Sequence, residues 1–218
     1  MPHVVGYENV LASIRDVWAS PFTERAYGWR QGNMEDPEYV FPAVVIQKSF
    51  PSEKSGVLVT ADVDTGDRNW LTVAVNEGVG GAVEGQAAES LKIHATTGEV
   101  RFLAQATAPR QSALSSTGGV VKVPASGTSA VLSPAEIQKL VAFSQTVAAR
   151  FPSLRDEEGN SLPADVEFAF KNGELTLLQI RPLVESKSAQ RNTYLADLDA
   201  KFRSRGASRV DLGGVPKE

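Results

Sequence analysis

The chain has 218 residues, 22 Lys and Arg against 26 Asp and Glu for a formal net charge of −4, no cysteine and two histidines. The lack of cysteine excludes disulfides, thiolate nucleophiles, iron–sulfur clusters and Cys-based zinc sites, and His3 and His94 are too few for a multi-histidine metal centre. A mildly acidic balance gives no reason to expect nucleic acid or membrane as partner. No apolar run reaches the roughly 18 residues of a membrane span, and no basic-then-apolar leader opens the chain. The composition, 42% apolar and 22% charged, is that of a folded cytoplasmic domain whose chemistry must come from carboxylates, amides, Arg, Lys, hydroxyls or backbone.

The first 30 residues read as helical. Val10, Leu11, Ile14, Val17 and Trp18 follow i, i+3, i+4, i+7 spacing, and Ser20-Pro21 predicts a restart, with Ser20 as cap and Phe22, Ala26 and Trp29 lining the buried side. Segment 31–41 is polar and reads as loop. From Pro42 the pattern turns to strands: Ala43–Ile46, Val57–Thr60, Trp70–Val75 and Glu89–His94, with tight turns at Asp64–Asp67 and Thr97–Glu99. Trp18, Trp29 and Trp70 are expected in the core, and His94 as a packed or edge residue.

A Ser-, Thr-, Gly- and Pro-rich stretch from about Ala104 to Val131 reads as a long loop holding one short strand near Val120–Val123. Ser133-Pro134-Ala135-Glu136 is a capping box with proline at the first helical position. It opens a helix whose one face carries Ile137, Leu140, Val141, Ser144, Val147, Ala148 and Phe151. After a polar loop, Val166–Phe170 and Leu175–Leu183 predict a hairpin, and 187–205 predicts a surface helix. The tail from Lys187 onward holds seven basic and four acidic side chains. The expected fold class is α+β, a mainly antiparallel sheet packed with helices, with one domain over 1–186 and a C-terminal helix and tail over 187–218.

The hairpin carries the chemistry. Lys171-Asn172-Gly173 suits a three-residue loop, which pairs Phe170 with Glu174 and Glu167 with Leu177. Alternation then puts Asp165, Glu167, Gln179 and Arg181 on one face, and Val166, Phe168, Phe170, Leu178 and Ile180 on the other, which is core. Two carboxylates, an amide and a guanidinium on a sheet backed by core suit a hard divalent cation and a phosphate, because Mg²⁺ takes one or two protein oxygens and completes its shell from phosphate and water. The same quartet also reads as a solvated face with a Glu–Arg pair.

The segments Asp165-Val-Glu167-Phe-Ala and Leu-Leu-Gln179-Ile-Arg181-Pro182 resemble the strands that close the nucleotide-binding domain of the phosphoenolpyruvate synthase and pyruvate phosphate dikinase family. Upstream, Val17-Trp-Ala-Ser20-Pro-Phe-Thr-Glu-Arg25-Ala-Tyr-Gly-Trp-Arg30 is similar to that family's helical segment. Ala43–Gln47 through Ser55–Thr60 is similar to its central strands, and Asn76-Glu-Gly78-Val-Gly80-Gly81 to its Gly-rich stretch. The resemblance runs in order over about residues 10–185.

It implies an ATP-grasp-like C-terminal subdomain with ATP and Mg²⁺ as cofactors. Glu167 and Gln179 would be the magnesium ligands, Arg181 the catalytic contact to the phosphates, and Gln47 the residue receiving adenine at the hinge. Gly78, Gly80 and Gly81 are either phosphate-facing amides or simply a turn. The family's first subdomain and its phosphocarrier histidine domain are the expected partners, in cis or in trans. Neither is expected in this chain, which reads as a fragment or terminal domain, half of an active site. The family's Glu after the Gly-x-Gly pair is Gly81 here, with Glu84 as a substitute. A non-catalytic nucleotide-sensing or partner-binding module and a glucan-dikinase-like ATP domain remain open as alternatives.

Overall fold

In the computed structural model, residues 3–82, 85–127, 130–151, 155 and 158–183 are described, with isolated positions 193, 194, 197 and 200 beyond them. The chain divides into two units, 1–182 and 183–218. Glu84, the side chain of Ala148 and most of the helix expected over 187–205 lie outside the described residues. Among the described residues no helix is long and apolar enough to cross a membrane.

Two helices come first, α1 (Tyr7–Ala19) and α2 (Glu24–Asn33), joined by a 3-10 turn at Ser20–Phe22. Ser20 does not cap the second helix. Its hydroxyl donates back to Val17 O at 2.8 Å, and the restart falls at Thr23–Glu24. Eight strands and one long helix follow: β1 (Lys54–Val59), β2 (Trp70–Glu77), β3 (Glu89–His94), β4 (Val100–Ala104), β5 (Arg110–Leu114), β6 (Val120–Pro124), α3 (Pro134–Arg150), β7 (Ala164–Lys171) and β8 (Glu174–Pro182). Six strands form an antiparallel sheet in the order β4-β3-β2-β1-β7-β8, and β5 pairs with β6 in a separate hairpin. This is the expected α+β architecture, mainly antiparallel.

Alternation along these strands decides where the core lies. Leu58, Leu71, Val73, Val75, Leu91, Ile93, Val166, Phe168 and Phe170 point to one face and are buried beneath α3, which contributes Leu140 and Val147. The capping box forms as read. Ser133 Oγ accepts Glu136 N–H at 3.3 Å, and Glu136 Oε2 accepts Ser133 N–H at 2.8 Å. Glu136 Oε2 also takes Lys54 Nζ at 2.7 Å, which ties the helix start to β1.

The N-terminal expectations are corrected. α1 has no buried residue, α2 buries only Arg30, and Trp18, Phe22 and Trp29 are exposed. Helical periodicity is present there, but the described fold covers the stripe only in part, leaving Val10, Leu11, Ile14 and Val17 half-buried. Ala43–Ile46 is not a strand. It is extended without a ladder partner, with Val45 80% and Ile46 69% exposed. Trp70 sits half-buried at the sheet end, with His94 edge-on at 5.1 Å and the Arg101 guanidinium 3.9 Å above its ring.

Candidate functional site

Asn172 and Gly173 both adopt left-handed backbone, φ 52° and 73°, so the β7–β8 turn closes in two residues with Lys171 paired to Glu174. This corrects the three-residue loop. In a regular ladder the shorter turn would send Gln179 to the core face. Instead the register shifts beyond Phe168–Leu177, where Leu178 is the extra residue of a bulge, and Glu167 faces Gln179 directly while Asp165 faces Arg181. The odd residue expected in the loop has moved into the strand. Glu167 therefore pairs with Gln179 and not with Leu177, and the four polar side chains still share one face. Leu178, expected in the core, is 42% exposed, whereas Leu175 and Ile180 pack against it.

That face opens into a cleft of about 640 Å³. Gln47, Glu167 and Gln179 all line it, together with Lys48 and Ser49 from the extended segment and Val79 and Gly80 from the turn after β2. Arg181 lies outside this lining. Its Nε and Nη2 both donate to Asp165 Oδ2 at 2.8 Å, and its side chain is 62% exposed. The exposed arginine is thus held on the same face, beside the cleft, by a carboxylate only 15% exposed.

Glu167 lies in the ladders with β1 and β8, but its carboxylate makes no ion pair or hydrogen bond with the described residues and is free to take a cation together with the Gln179 amide oxygen across the ladder. Among the described residues there is no cluster of three or more His, Cys, Asp or Glu. A cation here would take two protein oxygens and fill its shell from phosphate and water, which suits Mg²⁺.

The Gly-rich stretch behaves as a turn. Gly78 N–H donates to Glu53 O at 2.7 Å, Val79 N–H to Ser112 O at 2.9 Å and Gly80 N–H to Ser55 Oγ at 2.9 Å. These three amides are spent inside the protein and leave no phosphate cradle at Gly78–Gly80. Gly78 is required by geometry: at φ 79° an added Cβ would lie 2.2 Å from Ser112 O. His94 also has a local role, its Nδ1 accepting the N–H groups of Thr96 and Thr97.

Sequence reasoning missed Ser55, which lines the cleft with other residues it did not single out, Ser52 and Leu114 among them. Ser55 sits in an apolar strand, where a small hydroxyl carries no signal of its own.

Comparison with known proteins matches residues 1–201 to the model of the pyruvate phosphate dikinase, AMP/ATP-binding domain. The chain belongs to this family. Among its relatives are a rifampicin phosphotransferase of Streptomyces sp, 31% identical over 186 residues (83% of this chain, 20% of the relative), and a probable phosphoenolpyruvate synthase of Archaeoglobus fulgidus, 30% identical over 209 residues (86% and 25%). The phosphoenolpyruvate synthase of Pyrococcus furiosus is 27% identical over 220 residues, covering 94% of this chain and 26% of that protein. The chain thus spans a fifth to a quarter of the length of these relatives. Within this AMP/ATP-binding domain, the match covers both the extended segment carrying Gln47 and the β7–β8 hairpin.

Proposed function

We propose that this chain is the metal-holding part of an ATP site in a phosphoenolpyruvate-synthase- or pyruvate-phosphate-dikinase-like phosphotransferase, built as the C-terminal subdomain of an ATP-grasp module. The observation that carries this reading is the Glu167–Gln179 pair, set directly opposite across a bulged ladder on the wall of a 640 Å³ cleft that also holds Gln47. Gln47 and the backbone to Ser49 receive the adenine. Glu167 and Gln179 hold Mg²⁺, which when bound screens the phosphate charge and orients the phosphates. Arg181 swings from Asp165 to the phosphoryl group in transfer, an exchange of one oxyanion partner for another that its exposure permits. The phosphoryl acceptor is a carrier histidine of another module or another acceptor. Neither histidine here suits, since His3 Nε2 donates to Ser115 O and His94 is held by its own turn.

The test is calorimetric titration of ATP·Mg²⁺ into the chain, alone and joined to an upstream ATP-grasp subdomain from a relative. Glu167→Ala and Arg181→Ala should each weaken binding about tenfold, as expected for loss of a charge-assisted contact. Equal affinity in wild type and both variants refutes the assignment.

A second reading, nucleotide sensing without transfer, is favoured by the Asp165–Arg181 pair, which holds the guanidinium out of the cleft lining. Binding of ATP without transfer of its labelled γ-phosphate to a supplied histidine domain would select it.

A further inference from the structure

The cleft wall beside the Glu167–Gln179 pair is the turn Gly78–Val79–Gly80, and one side chain closes it. Ser55 Oγ donates to Gly78 O at 2.7 Å and accepts Gly80 N–H at 2.9 Å, so a single hydroxyl bridges a carbonyl and an amide two residues apart. Ser55 is 6% exposed, its bond to Gly78 O is buried, and its bond to Gly80 N–H is part-buried at the cleft wall. Its strand position matters as much. Ser55 pairs with Ala169 and Val57 with Glu167 in the β1–β7 ladder, so Ser55 lies on the Glu167 face, one step along the strand. The turn is held from its other side by Ser112 O, which accepts Val79 N–H at 2.9 Å. Lys122 Nζ in turn donates to Ser112 Oγ at 2.7 Å. Gly78 and Gly80 both sit at positive φ, 79° and 73°, a conformation that glycine adopts without directing it. The hydroxyl of Ser55 supplies that direction.

We propose that Ser55 is a positioning residue for the nucleotide cleft. It fixes the Gly78–Gly80 turn so that Val79 and Gly80 stand at the distance from the Glu167–Gln179 pair that a bound nucleotide requires. The inference rests on the ATP reading above and adds a residue that acts on the ligand only through the turn. Without the hydroxyl, Gly78 and Val79 stay tied by their N–H groups to Glu53 O and Ser112 O, but Gly80 N–H loses its partner and the wall loosens at Gly80.

The experiment compares wild type, Ser55→Ala, the near-isosteric Ser55→Cys and the hydroxyl-retaining Ser55→Thr, each joined to the same upstream ATP-grasp subdomain and titrated with ATP·Mg²⁺ at a temperature where all are folded. Amide hydrogen exchange of residues 78–80 is followed in parallel. Ala and Cys should weaken binding about tenfold, the effect of losing one ordering hydrogen bond, with faster exchange at Gly80, while Thr stays within about twofold of wild type. Leu140→Ala, a core change remote from the cleft, loses stability and keeps the wild-type affinity. Should Ala fail to fold, the Cys–Thr contrast decides. Faster exchange at Gly80 with unchanged affinity in Ala or Cys overturns the proposal, as does an equal loss in Thr. A wild type that does not bind ATP·Mg²⁺ refutes the nucleotide reading first and this proposal with it.

Discussion

Replacement of Glu136 by Gln tests how the helix above the sheet is tied to the strand that runs under the cleft. One carboxylate oxygen accepts Ser133 N–H at 2.8 Å and Lys54 Nζ at 2.7 Å, and the Glu136 side chain is only 7% exposed. Glutamine keeps the shape and an amide oxygen for the Ser133 N–H, but loses the charge that faces Lys54. A partly buried charge-assisted hydrogen bond of this kind is worth about 1–2 kcal/mol once the 26% exposure of Lys54 is allowed for. For a domain of this size that lowers Tm by about 3–6 °C at pH 7.

The pH dependence is the sharper measurement. Burial, the largest single influence on Glu136, pushes its carboxyl up. The Lys54 hydrogen bond, the backbone and side-chain hydrogen bonds with Ser133 and the Lys54 charge together pull it down, and the net direction is below the ordinary carboxylate value. A lowered native pKa means that the ionised form stabilises the fold above the unfolded-state value. That contribution fades as pH falls through the native one. Protonated Glu136 then resembles glutamine, so the wild-type and Glu136→Gln melting curves should be separate at about pH 7 and draw together in acid as pH falls through the lowered native value. Thermal denaturation followed by circular dichroism reads both ends. A gap of the same size in acid as at pH 7 refutes the reasoning, as does no gap at pH 7.

Leu140, fully buried at the centre of the sheet–helix core, should cost about 2–5 kcal/mol when cut to alanine, read as a fall in the urea midpoint at constant slope. Gly78→Ala puts a Cβ 2.2 Å from Ser112 O at φ 79°, so it should destabilise by about 2 kcal/mol or more in the same assay and weaken ATP·Mg²⁺ binding. Lys92 joins Asp62 and Asp64 at 2.8 and 2.7 Å, and its hydrogen bond is the main cause of the lowered Asp62 pKa, while its hydrogen bonds to both acids raise its own. Lowered Asp62 and raised Lys92 predict a stability gap between wild type and Asp62→Asn that is flat through neutral pH. It should shrink in acid as Asp62 protonates and in strong alkali as Lys92 deprotonates, which a pH series of melting curves checks.

The parts legible in the sequence are those whose signals are local. The capping box at Ser133–Glu136, the alternation in Trp70–Val75 and Glu89–His94, and the β7–β8 hairpin all declare themselves within short contiguous stretches. The site's shared face was legible too, but its partners were not. A two-residue Asn172-Gly173 turn and a bulge at Leu178 each change the register by an odd step, and only together do they return Gln179 to Glu167. Strand β5 was missed because Arg110-Gln-Ser-Ala-Leu114 has little apolar pattern and is held through Ser112 by the turn after β2, a contact about thirty positions back. Trp18, Phe22 and Trp29 were placed inside because their spacing is amphipathic. Periodicity marks a face that wants cover without saying whether the chain supplies it.

The strand order of the sheet also bears on how this site comes into being. β1 to β4 pair with sequence neighbours, and β7 with β8, so both halves close over short loops. The β1–β7 ladder instead joins Lys54 to Phe170 and Val59 to Asp165, more than a hundred positions apart. Closing so long a loop is the slow, entropically expensive part of folding. Glu167 and Gln179 can meet early in their hairpin. They reach Ser55 and the rest of the cleft only when that seam zips, so among the strands of this sheet the cleft is completed by its most distant pairing.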